Sequence, residues 1–116
     1  MQVLVVVINH DRYVVPILDQ LMEIGIAGAT ILDSMGMAAM IADHVPFFAR
    51  FANMNGRRHN SKTLFTVIRD DQVEKVADAV DAILGGVDRP DSGFMFALPV
   101  SMCRGLACSD QGPRGR

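Results

Sequence analysis

Residues 2–8, QVLVVVI, are apolar at every position after the first. A β-branched run without polar alternation predicts a strand buried on both faces, by helices on one side and by a further layer or subunit on the other. NHDRY breaks the run. From there the apolar positions are Val14, Ile17, Leu18, Leu21 and Ile24, the i, i+3, i+4, i+7 spacing of a helix with one buried face. Pro16 suits only the first helical turn, where its missing N–H costs nothing, so the helix starts near Tyr13 or Val14. Gly25 supplies a left-handed stop. AGATILDS then reads as a second core strand, with Ala29, Ile31 and Asp33 alternating against Thr30, Leu32 and Ser34.

The plan repeats after an insert. KTLFTVIR, residues 62–69, is another β-rich run. Asp70 or Asp71 is placed to cap a following helix, and Glu74 falls in its first turn, where the helix dipole favours an acid. Val73, Val76, Ala77, Val80, Ile83 and Leu84 form its apolar stripe, and Gly85-Gly86 ends it. VDRPDSG is a turn by composition, and FMFALPV is the last strand. Two βαβ halves predict an α+β, ferredoxin-like βαββαβ fold. Its four-stranded antiparallel sheet would carry both helices on one face, with a long insert between the second and third strands. Apolar side chains then remain on the second face, and oligomerisation is the simplest cover for them.

The insert, residues 37–60, reads MAAMIADHVPFFARFANMNGRRHN. Phe47, Phe48, Phe51 and Met54, following Pro46, predict a short amphipathic helix. It either packs on its own domain or a neighbouring subunit, or acts as a mobile element for a partner. GRRHNSK gathers Arg57, Arg58, His59 and Lys62, which can hold a phosphate or carboxylate, or form a solvated turn. GGVDRPDSG lacks the GxxxxGK[ST] pattern, so Asp88, Arg89 and Asp91 read as a turn with local pairing.

The 116 residues suggest one domain, and a net charge of −2 with one small basic cluster argues against nucleic acid. No apolar run approaches the ~18 residues of a membrane span. Residues 3–8 lack a preceding basic region and a cleavage site, so a cytoplasmic protein is expected, with no signal peptide. Cys103 and Cys108, in CRGLAC, are expected as free thiols, although a short disulfide through Gly105 is geometrically feasible. They make a poor zinc site without a nearby histidine. His10, His44 and His59 are scattered, and neither HExxH nor GxSxG occurs. Asp43 and His44 are adjacent and would not face each other on a helix. No catalytic residue, metal ligand or required cofactor is assigned.

GIAGATILDSMGM, ADHVPFF, SKTLFTVI and GFMFALPV, taken together, resemble the P-II family of signalling proteins, and more closely a small P-II-like branch lacking several nucleotide-binding residues. The resemblance covers about residues 1–106, with residues 107–116 a flexible tail. It implies a homotrimer with sheets facing inward and a partner-contacting loop, the T-loop, at residues 37–60. It also implies that a small anionic effector, such as an adenine nucleotide, binds between subunits. Thr30, Ser34, Gly36 and Met37 would line one wall of that cleft, and the turn 85–93, ending at Gly93, the other. Arg57, Arg58 and Arg89 would be available for the anion. The sequence departs from the family pattern at Met40, in place of a glutamine, and at Phe94, in place of a lysine. The arginines ending the last strand are reduced to Arg104, and the tyrosine modified in some members has no counterpart in the insert.

The resemblance thus implies a non-enzymatic regulator whose insert contacts a partner protein, a transporter or an enzyme. The rival from another class is a structural or interaction trimer with a permanently packed insert and no ligand. A remote third is an acylphosphatase-like enzyme, for which no phosphate-cradling loop followed by arginine is visible near the first strand.

Overall fold

The computed structural model describes residues 1–26, 28–44, 61–85 and 92–105. Its elements are β1 (Gln2–Ile8), α1 (Val14–Ile24), β2 (Thr30–Ser34), α2 (Met37–His44), β3 (Ser61–Ile68), α3 (Val73–Leu84) and β4 (Gly93–Pro99). Single 3₁₀ turns at Asp11–Tyr13 and Asp70–Gln72 lead into α1 and α3. Pro16 sits in the first turn of α1, and the helix closes on Gly25 at φ 104°, whose N–H reaches the carbonyls of Leu21 and Met22. Gly85, at φ 90°, closes α3 in the same left-handed way. Both stops follow from glycine's freedom at positive φ.

The four strands form one antiparallel sheet in the order β2-β3-β1-β4. This is an α+β arrangement consistent with a ferredoxin-like plan. Register fixes which side chains share a face. Leu4, Val6 and Ile8 of β1 and Leu64 and Ile68 of β3 are buried, together with Ile17 and Leu21 of α1 and Val76, Val80 and Leu84 of α3. These strand residues all point the same way, so α1 and α3 cover one face of the sheet. Each fully buried Leu, Ile or Val of this cluster contributes roughly 1.5–3 kcal/mol against leaving it exposed. Thr66 is the polar member of the layer, and its hydroxyl donates to the Gly28 carbonyl.

The opposite face is open in a single copy. Val3, Val5 and Val7 lie in its middle, opposite Leu98, Phe96 and Phe94 of β4 and Val67, Phe65 and Thr63 of β3. Phe94 is 59% exposed, Phe96 44% and Leu98 50%. The Phe94 and Phe96 rings stack at 6.2 Å between centroids. Thus β1 is less completely covered than its all-apolar sequence implies, because helices supply one layer only.

Three expectations need correction. β2 is an edge strand, exposed from Thr30 to Asp33, and not a core strand. Neither Asp70 nor Asp71 caps α3. The Asp70 carboxylate instead accepts from the Met1 amine at 2.7 Å, Asp71 pairs with Arg69, and the Arg69 N–H is met by Gln72 Oε1. The free thiol expected at Cys103 is a disulfide-bonded sulfur. Cys108 and the tail 107–116 lie outside the described residues. So do Pro46, Phe47, Phe48, Phe51 and Met54, on which the expected amphipathic helix rests. The described helix of the insert is α2, ahead of them.

Candidate functional site

The end of β1, the end of β2 and the starts of β3 and β4 all meet at one end of the sheet. Antiparallel register aligns Asp33, Lys62, Ile8 and Gly93 in one row across its width. Ser34 and Ser61 pair just beyond this row. Of the residues expected to bind an effector, Ser34, Gly36, Met37 and Gly93 lie at or just beyond that end, while Thr30, paired with Phe65, sits midway along the sheet, and they do not converge within one chain. Thr30, Ser34, Gly36 and Met37 belong to the β2 edge. Gly93 lies on the opposite edge, three strand spacings away, about 14 Å. Arg57, Arg58 and Arg89 lie outside the described residues.

On the β2 side, Thr30 and Ser34 share the open face of the sheet, because side chains two apart on a strand point the same way. The Ser34 hydroxyl lies 2.7 Å from Ser61 Oγ and 2.8 Å from Thr63 Oγ1. Ser61 is buried, so the trio is a polar patch at the root of the insert. Each hydroxyl both donates and accepts, and the trio can turn one donor outward without breaking both internal bonds. Asp33, on the other face of β2, is ion-paired with Lys62. Lys62 therefore spends charge on its neighbour strand as well as adding to the basic cluster read from GRRHNSK.

Gly36 and Met37 form the entry to α2. The Gly36 carbonyl accepts from the Met40 N–H at 3.0 Å, closing the first turn. A Cβ built on Gly36 would meet nothing within 4 Å. Met37 is 78% exposed, with Met35 and Met40 also exposed beside it. Nothing within the described chain demands glycine at 36. Gly93 is the contrary case. At φ 155° its Cβ would stand 2.2 Å from the Val7 carbonyl oxygen, so β4 can approach β1 here only without a side chain. Backbone packing alone accounts for this glycine.

A further cluster follows β1. The Tyr13 ring is buried, with the His10 ring edge-on at 6.0 Å between centroids and the Arg12 guanidinium 4.7 Å above it. Arg12 also donates to the Tyr13 hydroxyl at 3.0 Å. The cation is held by the aromatic face and the phenol, a local use of a charge that could otherwise meet an anion. Sequence reading passed over this group, and over Ser61 and Thr63. Arg12-Tyr13 adjacency was a usable signal for the first. The hydroxyl trio depends on strand register, which spacing along the chain does not reveal.

Among the described residues, no group of three or more His, Cys, Asp or Glu side chains is arranged to hold a metal ion, and no helix is long and apolar enough to cross a membrane. Phe94 is one of the exposed rings of the open face. Arg104, after the last strand, is exposed. No family model matches the chain, and no curated protein matches it.

Proposed function

We propose that this chain is a P-II-like regulatory protein, non-enzymatic and cytoplasmic, working as a homotrimer built on a ferredoxin-like protomer. A small anionic effector, an adenine nucleotide or a simpler anion, binds between copies and biases the insert 37–60, which contacts a partner protein. One observation carries this reading. Ser34, Gly36 and Met37 lie at the same end of the sheet as Gly93 but on the opposite edge, β2 against β4. Such a site needs a second copy to complete it, and the open apolar face gives copies a reason to associate. Signalling then requires that the effector prefer one state of the insert, since equal affinity for both shifts nothing.

The alternative is an interaction trimer that binds no small ligand. Phe94 favours it, because an exposed ring stacked on Phe96 stands where an anion-binding lysine would serve the regulator. Thermal-shift measurements on the full chain with adenine nucleotides, cyclic nucleotides, bicarbonate and 2-oxoglutarate separate the two. A ligand at ~100 times its Kd stabilises the fold by roughly 2.7 kcal/mol. No shift with any of them removes the effector and leaves the interaction trimer.

A further inference from the structure

Three methionines fall within the run MGMAAM, Met35 to Met40, at the corner where the chain leaves β2 and enters α2. Methionine commonly fills irregular gaps in a core. Met95 of β4 does so here, packed against the buried cluster. Met35, Met37 and Met40 do not, for all three side chains are exposed. Leucine would present as much apolar surface at each place. What sets this group apart is its thioether sulfurs.

The backbone brings these sulfurs within reach of one another. Met37 and Met40 are three residues apart on α2, which puts their Cβ atoms about 5–6 Å from each other. Long side chains on a helix lean toward its N-terminus, over the residues three and four before them. That direction carries Met40 toward Met37 and Gly36, and Met37 toward the residues entering the helix, Met35 among them. The chain turns at Gly36, whose carbonyl accepts from the Met40 N–H at 3.0 Å. A Cβ built on Gly36 would meet nothing within 4 Å, so there is room beside the turn. Only Gly36, Ala38 and Ala39 separate the three methionines, and none of them has a side chain that could fill that room.

Thioethers are soft, uncharged donors. They select Cu(I) and offer little to hard cations, which take carboxylate and carbonyl oxygens. Asp33, two residues before Met35, is already ion-paired with Lys62. The positive end of the α2 dipole faces the corner and opposes a dication more than a monocation. We propose that Met35, Met37 and Met40 form a binding site for a soft monovalent cation, Cu(I). An ion held by residues on both sides of Gly36 fixes the angle at which α2, and with it the insert, leaves the sheet. Met37 is shared with the effector wall proposed above, but the cation site does not depend on an anionic effector or on the number of copies.

Titration of the full chain with Ag(I), a redox-inert stand-in for Cu(I), in chloride-free buffer tests the site through the methionine methyl resonances. Met22 and Met102 are also exposed but stand outside the corner, and they serve as internal references. The methyls of Met35, Met37 and Met40 should move together and saturate at one ion per chain, before those of Met22 and Met102 respond. Anaerobic Cu(I) should displace Ag(I), whereas Zn(II) and Mg(II) should not. Removing even a group that orients a metal ligand costs about 10–100-fold in affinity, so each of Met35→Leu, Met37→Leu and Met40→Leu should weaken binding by at least about tenfold. The triple variant should abolish it, and Cys103→Ser/Cys108→Ser should leave it unchanged. A thioether has no proton to lose, so affinity should be equal at about pH 5 and about pH 8, where a histidine site weakens as its ring protonates near 6.5. Simultaneous movement of Met22 and Met102, undiminished affinity in the triple variant, or weakening at the lower pH overturns the proposal. The titration of the unaltered chain decides the matter even where a variant folds poorly. Its outcome is separate from the thermal shifts with anions, so either reading can fail alone.

Discussion

Replacing Gly93 by alanine isolates what the sheet demands of that residue. The new Cβ would lie 2.2 Å from the Val7 carbonyl oxygen, 3.3 Å from its carbon and 3.4 Å from Ile8 Cα. Tolerated carbon–oxygen contacts begin near 3.3 Å, so β4 must retreat from β1 by about 1 Å. The atoms in the way are backbone and cannot rotate aside. Retreat loosens the Ile8–Gly93 end of the ladder and the neighbouring bond from Asn9 N–H to the Ser92 carbonyl, 2.9 Å. Losing one or two such bonds costs about 1 kcal/mol each. Alanine at φ 155° adds about 1–3 kcal/mol of strain. The expected loss is about 2–5 kcal/mol, a fall in Tm on the order of 10–25 °C in a domain of this size. Urea and thermal unfolding measure it. Gly36→Ala is the paired control, since its Cβ meets open space, and its stability should stay within about 0.5 kcal/mol of wild type. If Gly93→Ala unfolds like wild type, the close approach of β4 to β1 is not what holds glycine there, and the structural account of Gly93 fails.

Val5 stands on the open face opposite Phe65 and Phe96, so Val5→Asp should place an unpaired charge in the assembled core and yield single chains or unfolded protein; sedimentation of an intact assembly would contradict this. Ser92 is buried and its hydroxyl donates to the Leu84 carbonyl at 2.7 Å, so Ser92→Ala should cost roughly 1–3 kcal/mol by urea unfolding. The Asp70 carboxyl is held below its ordinary 3.8, first by the hydrogen bond from the Met1 amine, then by Gln2 and by the amine's charge. A carboxylate with a lowered folded-state value stabilises above its unfolded value and loses that contribution as pH falls through the folded one. Asp70→Asn should therefore be less stable than wild type at neutral pH, with the difference shrinking as pH falls below 3.8 and gone once the folded-state carboxylate is protonated; a gap that persists in strong acid would refute the link to this proton.

Helices α1 and α3 were legible because their stripes have one solution, whereas α2 lies ahead of the segment where the insert's helix was expected. Val14, Ile17, Leu18, Leu21 and Ile24 can share only one helical face, and Pro16 and Gly25 punctuate it. The position of β2 in the sheet was not. TILDS alternates in the same way whether central or marginal, and only pairing with β3 alone makes it an edge. Asp70 looked like a cap because it precedes a helix in sequence, whereas its carboxylate is drawn to the Met1 amine, sixty-nine residues away in the chain. Ser34 was visible as a polar residue at a strand end, but Ser61 and Thr63 join it only through register. Gly36 and Gly93 looked alike in sequence. The backbone around them separates a glycine the sheet requires from one it does not.

Sedimentation equilibrium of the full chain across the micromolar range tests the central claim most directly, because every part of the functional reading depends on copies completing one another's sheet end. The account predicts a single species of three times 12.6 kDa. A stable 12.6 kDa species over the whole range would contradict it.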